Sequence, residues 1–258
     1  MSYIDIKIQN NYAVLTLNRT DKFNAFIRPM SLELQEKLDE CAQNKEVRAV
    51  LLTATGKAFC AGQDLGEAID PNGPDIEKIV NEHYNPIVRR LRSIEKPVVC
   101  GVNGVAAGAG ASLALACDIV IAKKSAVFIQ AFSKIGLIPD SGATYTLPRL
   151  VGMQKAMALM MLADNITAEE AEQMNMIYKA VNDEHFEEEI HKITEKLANL
   201  PTVGLGLTKR LLNASWNNSL EEQLQMEAKL QAQAAQTHDF KEGVQAFLEK
   251  RKPEFKGK

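Results

Sequence analysis

Cysteine is sparse and scattered. The four thiols, Cys41, Cys60, Cys100 and Cys117, show no C-x-x-C spacing, which excludes a zinc knuckle, a dithiol redox motif and a disulfide-stapled scaffold. Such usage fits a reducing, cytoplasmic compartment. Basic charge is not in surplus either. Lys and Arg number 30 against 33 Asp and Glu, a formal charge of −3, so the chain lacks the basic excess that holds a nucleic-acid backbone. Nucleic acid is therefore not an expected partner. The four histidines, His83, His185, His191 and His238, have no metal-ligand spacing with one another or with a carboxylate pair, and no metal is expected. No apolar run reaches membrane length unbroken. Residues 97–122 come nearest, but Asn103, Asp118 and four glycines interrupt them. Ser2 to Lys7 alternates like a strand and lacks the basic-then-apolar order of a secretory leader, so no membrane partner is expected.

What is present is ordinary globular material in unusual order. Hydrophobic residues make up 46% of 258 positions and charged residues 24%, enough for a substantial core in one or two domains. Alternation over Ile4–Leu17 around Asn10-Asn11 predicts a hairpin. Met30, Leu34, Leu38 and Cys41 recur at helical spacing, and Val47–Thr53 is a continuous apolar strand of the kind buried on both faces. A loop over Gly56–Leu65, a helix over Ile76–Ile94, a strand over Pro97–Val102, a glycine-rich turn, a helix over Ala111–Ala116 and a strand over Asp118–Ala122 are expected next. This alternation predicts an α/β fold with parallel strands, whose ligands gather at loops beyond the strand C-terminal ends. A TIM barrel suits the length but needs more strand–helix pairs before residue 150. Beyond Val181 the pattern is helical. Thr167/Glu170 and Ser219/Glu222 form capping boxes, and Leu220, Leu224 and Leu230 line one stripe.

Two loops invite chemistry. Gly108-Ala-Gly110-Ala-Ser112 follows a strand and opens a helix, but a dinucleotide fingerprint would need its third glycine at Leu113. What remains is a small-residue helix start that either binds an anion or oxyanion or packs closely on a strand. Phe59-Cys-Ala-Gly62-Gln63-Asp64-Leu65 is the second small-residue turn. Backbone N–H groups from two such loops, converging on one oxygen, would form an oxyanion hole. Cys60 and Cys117 read as small core residues, and Trp216 as a packing anchor.

The segments FCAGQDL, VNGVAAGAGASLALACDIVIA and FSKIGLIPDSGATYTLPRLVG, in that order, with NRTDKFNAF before them and EGVQAFLEKRKPEF at the end, resemble the crotonase (enoyl-CoA hydratase/isomerase) superfamily. The resemblance covers essentially the whole chain. It implies a crotonase-type α/β spiral of strand–strand–helix units over residues 1–199 and a helical oligomerisation region over 200–258. It also implies a homo-trimer or dimer of trimers, an acyl-CoA thioester substrate, enolate stabilisation, and no cofactor beyond the CoA of the substrate. The N–H groups of Gln63 and Ala109 would hold the thioester oxygen. Ala61, Asp64 and Leu65 would border the CoA, and Lys22 would meet a phosphate; an exposed loop lysine and a loop-fixing Asp64 are the plainer readings. The two glutamates of the family's hydratases are replaced here by Ser112 and Phe132, which removes the carboxylates that activate water. Asp140 is left as the acid/base. A lone carboxylate amid Phe132, Ile135, Leu137 and Ile138 should have its pKa raised by desolvation, which suits a group that takes a proton and returns it. Its alternative role is a helix N-cap before Ala143. The expected activity is that of an acyl-CoA isomerase, with Ala131 and Phe132 making the pocket apolar enough for an aromatic acyl group. Hydration of an enoyl-CoA, or acyl-CoA binding without chemistry, are the competing expectations.

Overall fold

The computed structural model describes residues 2–258. It begins with the hairpin of β1 (Ile4–Gln9) and β2 (Tyr12–Leu17), antiparallel with Gln9 opposite Tyr12. Asn10 and Asn11 both take positive φ, as a two-residue turn matched to strand twist requires. The strands that follow come in pairs: β3 (Ala49–Ala54) with β4 (Ala58–Cys60), β5 (Val98–Val102) with β6 (Val105–Ala107), and β7 (Ile119–Lys123) with β8 (Val127–Ile129). The two-residue β9 (Ile166–Thr167) and β10 (Lys179–Val181) complete the set. The first strand of each pair enters a six-stranded sheet, β1-β2-β3-β5-β7-β10, and the second enters a four-stranded sheet, β4-β6-β8-β9. From β2 to β10 the larger sheet is parallel throughout.

Both faces of the larger sheet are covered, which explains its continuous apolar runs. Val50 and Leu52 point into the main core, while Ala49 and Leu51 meet Phe186, Ile190 and Ala198 of the helix Phe186–Ala198. The helix Arg28–Gln43 buries Met30, Leu34, Leu38 and Cys41, as their spacing requires. Two strands lie where loops were expected: β4 inside Gly56–Leu65 and β6 inside the glycine-rich turn. Each has three residues, too few for an alternating pattern to register. The turn into β6 relies on Gly104, where a Cβ would stand 2.3 Å from the Lys57 carbonyl oxygen. The expected helix over Ile76–Ile94 is interrupted. It runs as Ile76–Ile79, a wide π turn over Val80–Tyr84, and Asn85–Ser93. Pro86 supplies no N–H to the preceding turn and crowds its carbonyl, and the wide turn is how the backbone yields.

Residues 97–122 divide among β5, β6, the helix Ala109–Ala116 and β7, and among the described residues no helix is long and apolar enough to cross a membrane. Both capping boxes form. The helix Thr202–Ser215 is tied to the body by Lys209, whose Nζ lies 2.7 Å from Asp118 Oδ2. At the chain end, Asp239 accepts the N–H groups of Lys256 and Gly257 at 2.7 Å each, and Arg48 donates to the carbonyls of Phe255 and Leu200. Leu220, Leu224, Val244, Phe247 and Leu248 stand exposed on the last two helices. Leu230 departs from the stripe: it is only 4% exposed and packs within its own chain, so it is not available to a neighbour.

Candidate active site

Three consecutive strand-to-helix connections meet at one cavity of about 220 Å³. Its walls include Gly62, Gln63 and Leu65 after β4, Gly108 and Ala109 after β6, and Phe132 and Asp140 after β8. This is the C-terminal edge of the parallel strands β4, β6 and β8 of the smaller sheet, the kind of edge where open α/β sheets collect ligands. Ile79, Val80 and Tyr84 close a further side from the π turn and the short helix before it.

Two backbone positions require glycine for different reasons. Gly108 has φ +52° and ψ −125°, a conformation that a residue with a Cβ rarely adopts, while its surroundings are open. Gly110 has ordinary helical φ but no room: a Cβ would sit 2.3 Å from the Cys60 carbonyl oxygen and 2.7 Å from Cys60 Cβ. The helix Ala109–Ala116 thus lies directly on β4. That contact brings the start of the helix beside the Gly62–Gln63 turn, where a Cβ on Gly62 would be 3.4 Å from the Ala109 nitrogen. Among the described residues, neither the Gln63 nor the Ala109 backbone N–H has an internal hydrogen-bond acceptor. Two free N–H groups on adjacent walls of one cavity can polarise a carbonyl oxygen. Cys60 contributes by accepting the Gly62 N–H at its sulfur, 3.3 Å away, and burial pushes its thiol up to about 12, so it is no nucleophile at neutral pH.

Asp140 is the sole carboxylate lining the cavity among the described residues. It does not cap the helix Ala143–Val151, whose N-cap is Gly142 with no side-chain bond. Its carboxylate instead accepts the Ser141 hydroxyl at 2.9 Å. Desolvation raises its pKa above the ordinary aspartate value, against the opposing pull of the Ser141 hydrogen bond. A carboxylate in this state can both remove and restore a proton.

Of the positions expected from the sequence, the cavity unites Ala61, Gln63, Leu65, Ala109 and Asp140. Asp64 and Lys22 are not among its walls. Asp64 accepts the Gly66 N–H at 2.9 Å as the cap of Leu65–Ala68, and pairs with Arg19 at 2.7 Å. Burial pushes its pKa up, but Arg19 and these N–H donors outweigh burial and hold it below the ordinary value. It is a loop-fixing carboxylate. Lys22 ends an exposed 3-10 turn whose neighbour Phe23 accepts the Ala61 N–H, so it borders the site only through the backbone beside it. Ser112 is buried with its hydroxyl bonded to the Gly108 carbonyl at 3.1 Å, while Phe132 forms part of the apolar wall. Tyr84 was not legible as a site residue, because the π turn that aims it at the cavity leaves no mark in hydrophobic spacing.

The sequence matches the enoyl-CoA hydratase/isomerase family over residues 7–258. It is 46% identical to the 1,2-epoxyphenylacetyl-CoA isomerase of Escherichia coli (strain K12) and 45% identical to a probable enoyl-CoA hydratase of Rhodobacter capsulatus, each match covering 100% of both chains. Its fold superposes on the crystal structure of a putative enoyl-CoA hydratase/isomerase from Mycobacterium abscessus with a TM-score of 0.93, at 36% identity over 99% of this chain and 100% of that one. The paired strands, the glycine-shaped loops and the match along nearly the whole chain lead to one conclusion: this protein belongs to the enoyl-CoA hydratase/isomerase, or crotonase, family.

Proposed function

We propose that the protein is an acyl-CoA isomerase that converts 2-(1,2-epoxy-1,2-dihydrophenyl)acetyl-CoA to oxepin-CoA, a step of phenylacetate catabolism, and that it also shifts double bonds in related enoyl-CoA esters. The observation that carries this reading is the single carboxylate, Asp140, in a mostly apolar cavity with two free N–H groups, where Lys134 is the one cationic lining residue among the described residues. Support for the acyl group comes from the 46% identical relative and from the apolar wall of Ile79, Tyr84, Ala131 and Phe132.

In this mechanism the Gln63 and Ala109 N–H groups bind the thioester oxygen. Asp140 removes a proton from the carbon next to the thioester, and the electron pair is held as an enolate. The same carboxyl then returns the proton two carbons away, leaving a double bond conjugated with the thioester. The ring expansion of the epoxide is intramolecular and needs no further protein group. Hydration would require a second carboxylate to activate water, and among the described residues none lines the cavity. Ala61 and Leu65 border the CoA arm and Lys22 meets a CoA phosphate outside the acyl cavity, while Asp64 fixes the loop that carries Gln63.

A panel of CoA esters tests this directly. The ring-epoxide ester, a 3-enoyl ester and crotonyl-CoA are offered under the same conditions. Isomerisation of the first two is expected, with hydration of crotonyl-CoA slower by about two orders of magnitude, the scale of a missing acid/base group. Hydration as fast as isomerisation would show that another group activates water.

Assembly belongs to the same proposal. The protein associates with copies of itself, because the exposed Leu220, Leu224, Phe247 and Leu248, with Met157 and Met161 of the helix Met153–Leu162, leave more apolar surface than a lone chain tolerates, and the resemblance to the crotonase family implies that the assembly is a homo-trimer or dimer of trimers. Light scattering after size exclusion should give three or six times the chain mass. An active monomer at micromolar concentration would refute the assembly.

A further inference from the structure

Behind the cavity wall, the side chains of Tyr84, Gln63 and Glu67 form a directional hydrogen-bond chain that the mechanism above does not use. The Tyr84 hydroxyl donates to Gln63 Oε1 at 3.0 Å, and Gln63 Nε2 donates to Glu67 Oε2 at 2.7 Å. The other Glu67 oxygen accepts the backbone N–H of Arg28, at 2.9 Å, from the first residue of the helix Arg28–Gln43. Glu67 therefore joins the loop after β4 to a rigid helix start. It lies in the short helix Leu65–Ala68 just beyond Gln63, with only 19% of its side chain exposed.

We propose that Glu67 is a positioning residue for thioester activation: by accepting from the Gln63 amide it fixes which way that amide faces, and so holds the Gln63 backbone N–H on the thioester oxygen. The proposal rests on the oxyanion role given to Gln63 above. The argument is one of hydrogen-bond polarity. An ionised carboxylate only accepts, so it compels the Nε2 end of Gln63 to face it and leaves the Oε1 end for Tyr84. Burial, reinforced by Cys60 and then by the Asp140 and Glu67 carboxylates, raises the Tyr84 pKa well above its ordinary value, so the phenol keeps the proton it donates. Every donor in the chain then points one way, from Tyr84 through Gln63 to Glu67. A residue anchored at both ends of its side chain cannot swing its own backbone out of the wall. The His83 ring is not part of the chain: its Nδ1 is 4.0 Å from Glu67 Oε2, beyond hydrogen-bond reach.

Glu67→Gln tests the polarity with almost no change of shape. Its amide oxygen can still accept from Arg28, but its NH2 can face Gln63 and let that amide turn over. In the intact oligomer, Glu67→Gln is expected to lower kcat about tenfold with KM little changed, a fraction of the roughly 100-fold that a 1 Å misplacement of a catalytic group brings. Two measurements separate positioning from mere support of the fold. In a Gln63→Ala background, which retains the backbone N–H, Glu67→Gln should have no further effect, since its lever is gone. Phenylacetyl-CoA labelled with 13C at the thioester carbonyl should show a carbonyl stretch shifted to lower frequency on binding, with a smaller shift in Glu67→Gln and the full shift in Asp140→Asn. Equal losses from Glu67→Gln in both backgrounds, or an unchanged carbonyl shift, would overturn the role of Glu67 while leaving the oxyanion hole standing. No carbonyl shift in the wild-type protein would overturn both.

Discussion

Asp140→Asn is expected to reduce kcat for isomerisation by at least about 100-fold while KM for the CoA ester stays near its wild-type value. Asparagine keeps the shape and the capacity to accept the Ser141 hydroxyl, which Asp140 holds at 2.9 Å, but it cannot take a proton. No other carboxylate lines the cavity among the described residues, so none is at hand to substitute. The pH dependence should change with it. Proton removal needs the ionised form, and desolvation raises the Asp140 pKa, so wild-type kcat/KM should fall on acidification at a higher pH than an ordinary aspartate would give. Stability should move in the opposite sense. A carboxyl whose pKa is higher folded than unfolded contributes stability below its unfolded pKa, and that contribution is lost as the pH rises through the folded value. At neutral pH the ionised Asp140 is therefore a burden on the fold, and Asp140→Asn should melt at an equal or higher temperature. Kinetics and melting curves across pH measure both effects. Near-normal turnover in this variant would remove Asp140 from the mechanism.

The second large effect is expected from Gly110→Ala, a change of one methyl group that touches no substrate. Its Cβ would lie 2.3 Å from the Cys60 carbonyl oxygen, and both that oxygen and the Cys60 Cβ are fixed by β4, so the helix Ala109–Ala116 must retreat. That retreat carries the Ala109 N–H away from the Gln63 N–H. Turnover should fall by about 100-fold or more, as for a displaced oxyanion donor, and stability by about 1–3 kcal/mol from overpacking. Gly204→Ala serves as the control. In the helix Thr202–Ser215 its nearest neighbour would be Pro201 Cγ at 3.9 Å, ordinary van der Waals contact, so activity should persist and stability hold or rise. If Gly110→Ala were as active as Gly204→Ala, the close helix–strand contact would not be what aligns the two N–H groups.

Much of this architecture is legible without coordinates. Continuous apolar segments such as Ala49–Ala54 and Val98–Val102 are buried along their whole length, and only a parallel sheet covered on both faces accepts that pattern. The helical spacing of Met30, Leu34, Leu38 and Cys41, the Asn10-Asn11 turn and both capping boxes act over a few residues, so local sequence determines them. The motifs that carry the family resemblance also mark Gln63, Ala109 and Asp140. Other features depend on what lies across the fold. β4 and β6 are too short to show a period, and they are strands because each pairs with another chain segment. Gly108 and Gly110 look alike in sequence, yet one answers to backbone conformation and the other to a carbonyl 50 residues earlier. Asp140 could cap a helix by its position in the chain; it faces the cavity because Gly142 takes the N-cap position. Asp64, one residue from Gln63, is turned away by Arg19 and by its own capping bond. Tyr84 joins the site through a π turn that sequence spacing does not record. The longer elements and the residues able to do chemistry follow from the chain itself, because they depend on local periodicity and functional groups. Which of those residues face one another was decided by tertiary packing, because facing is set by contacts between segments far apart in the chain.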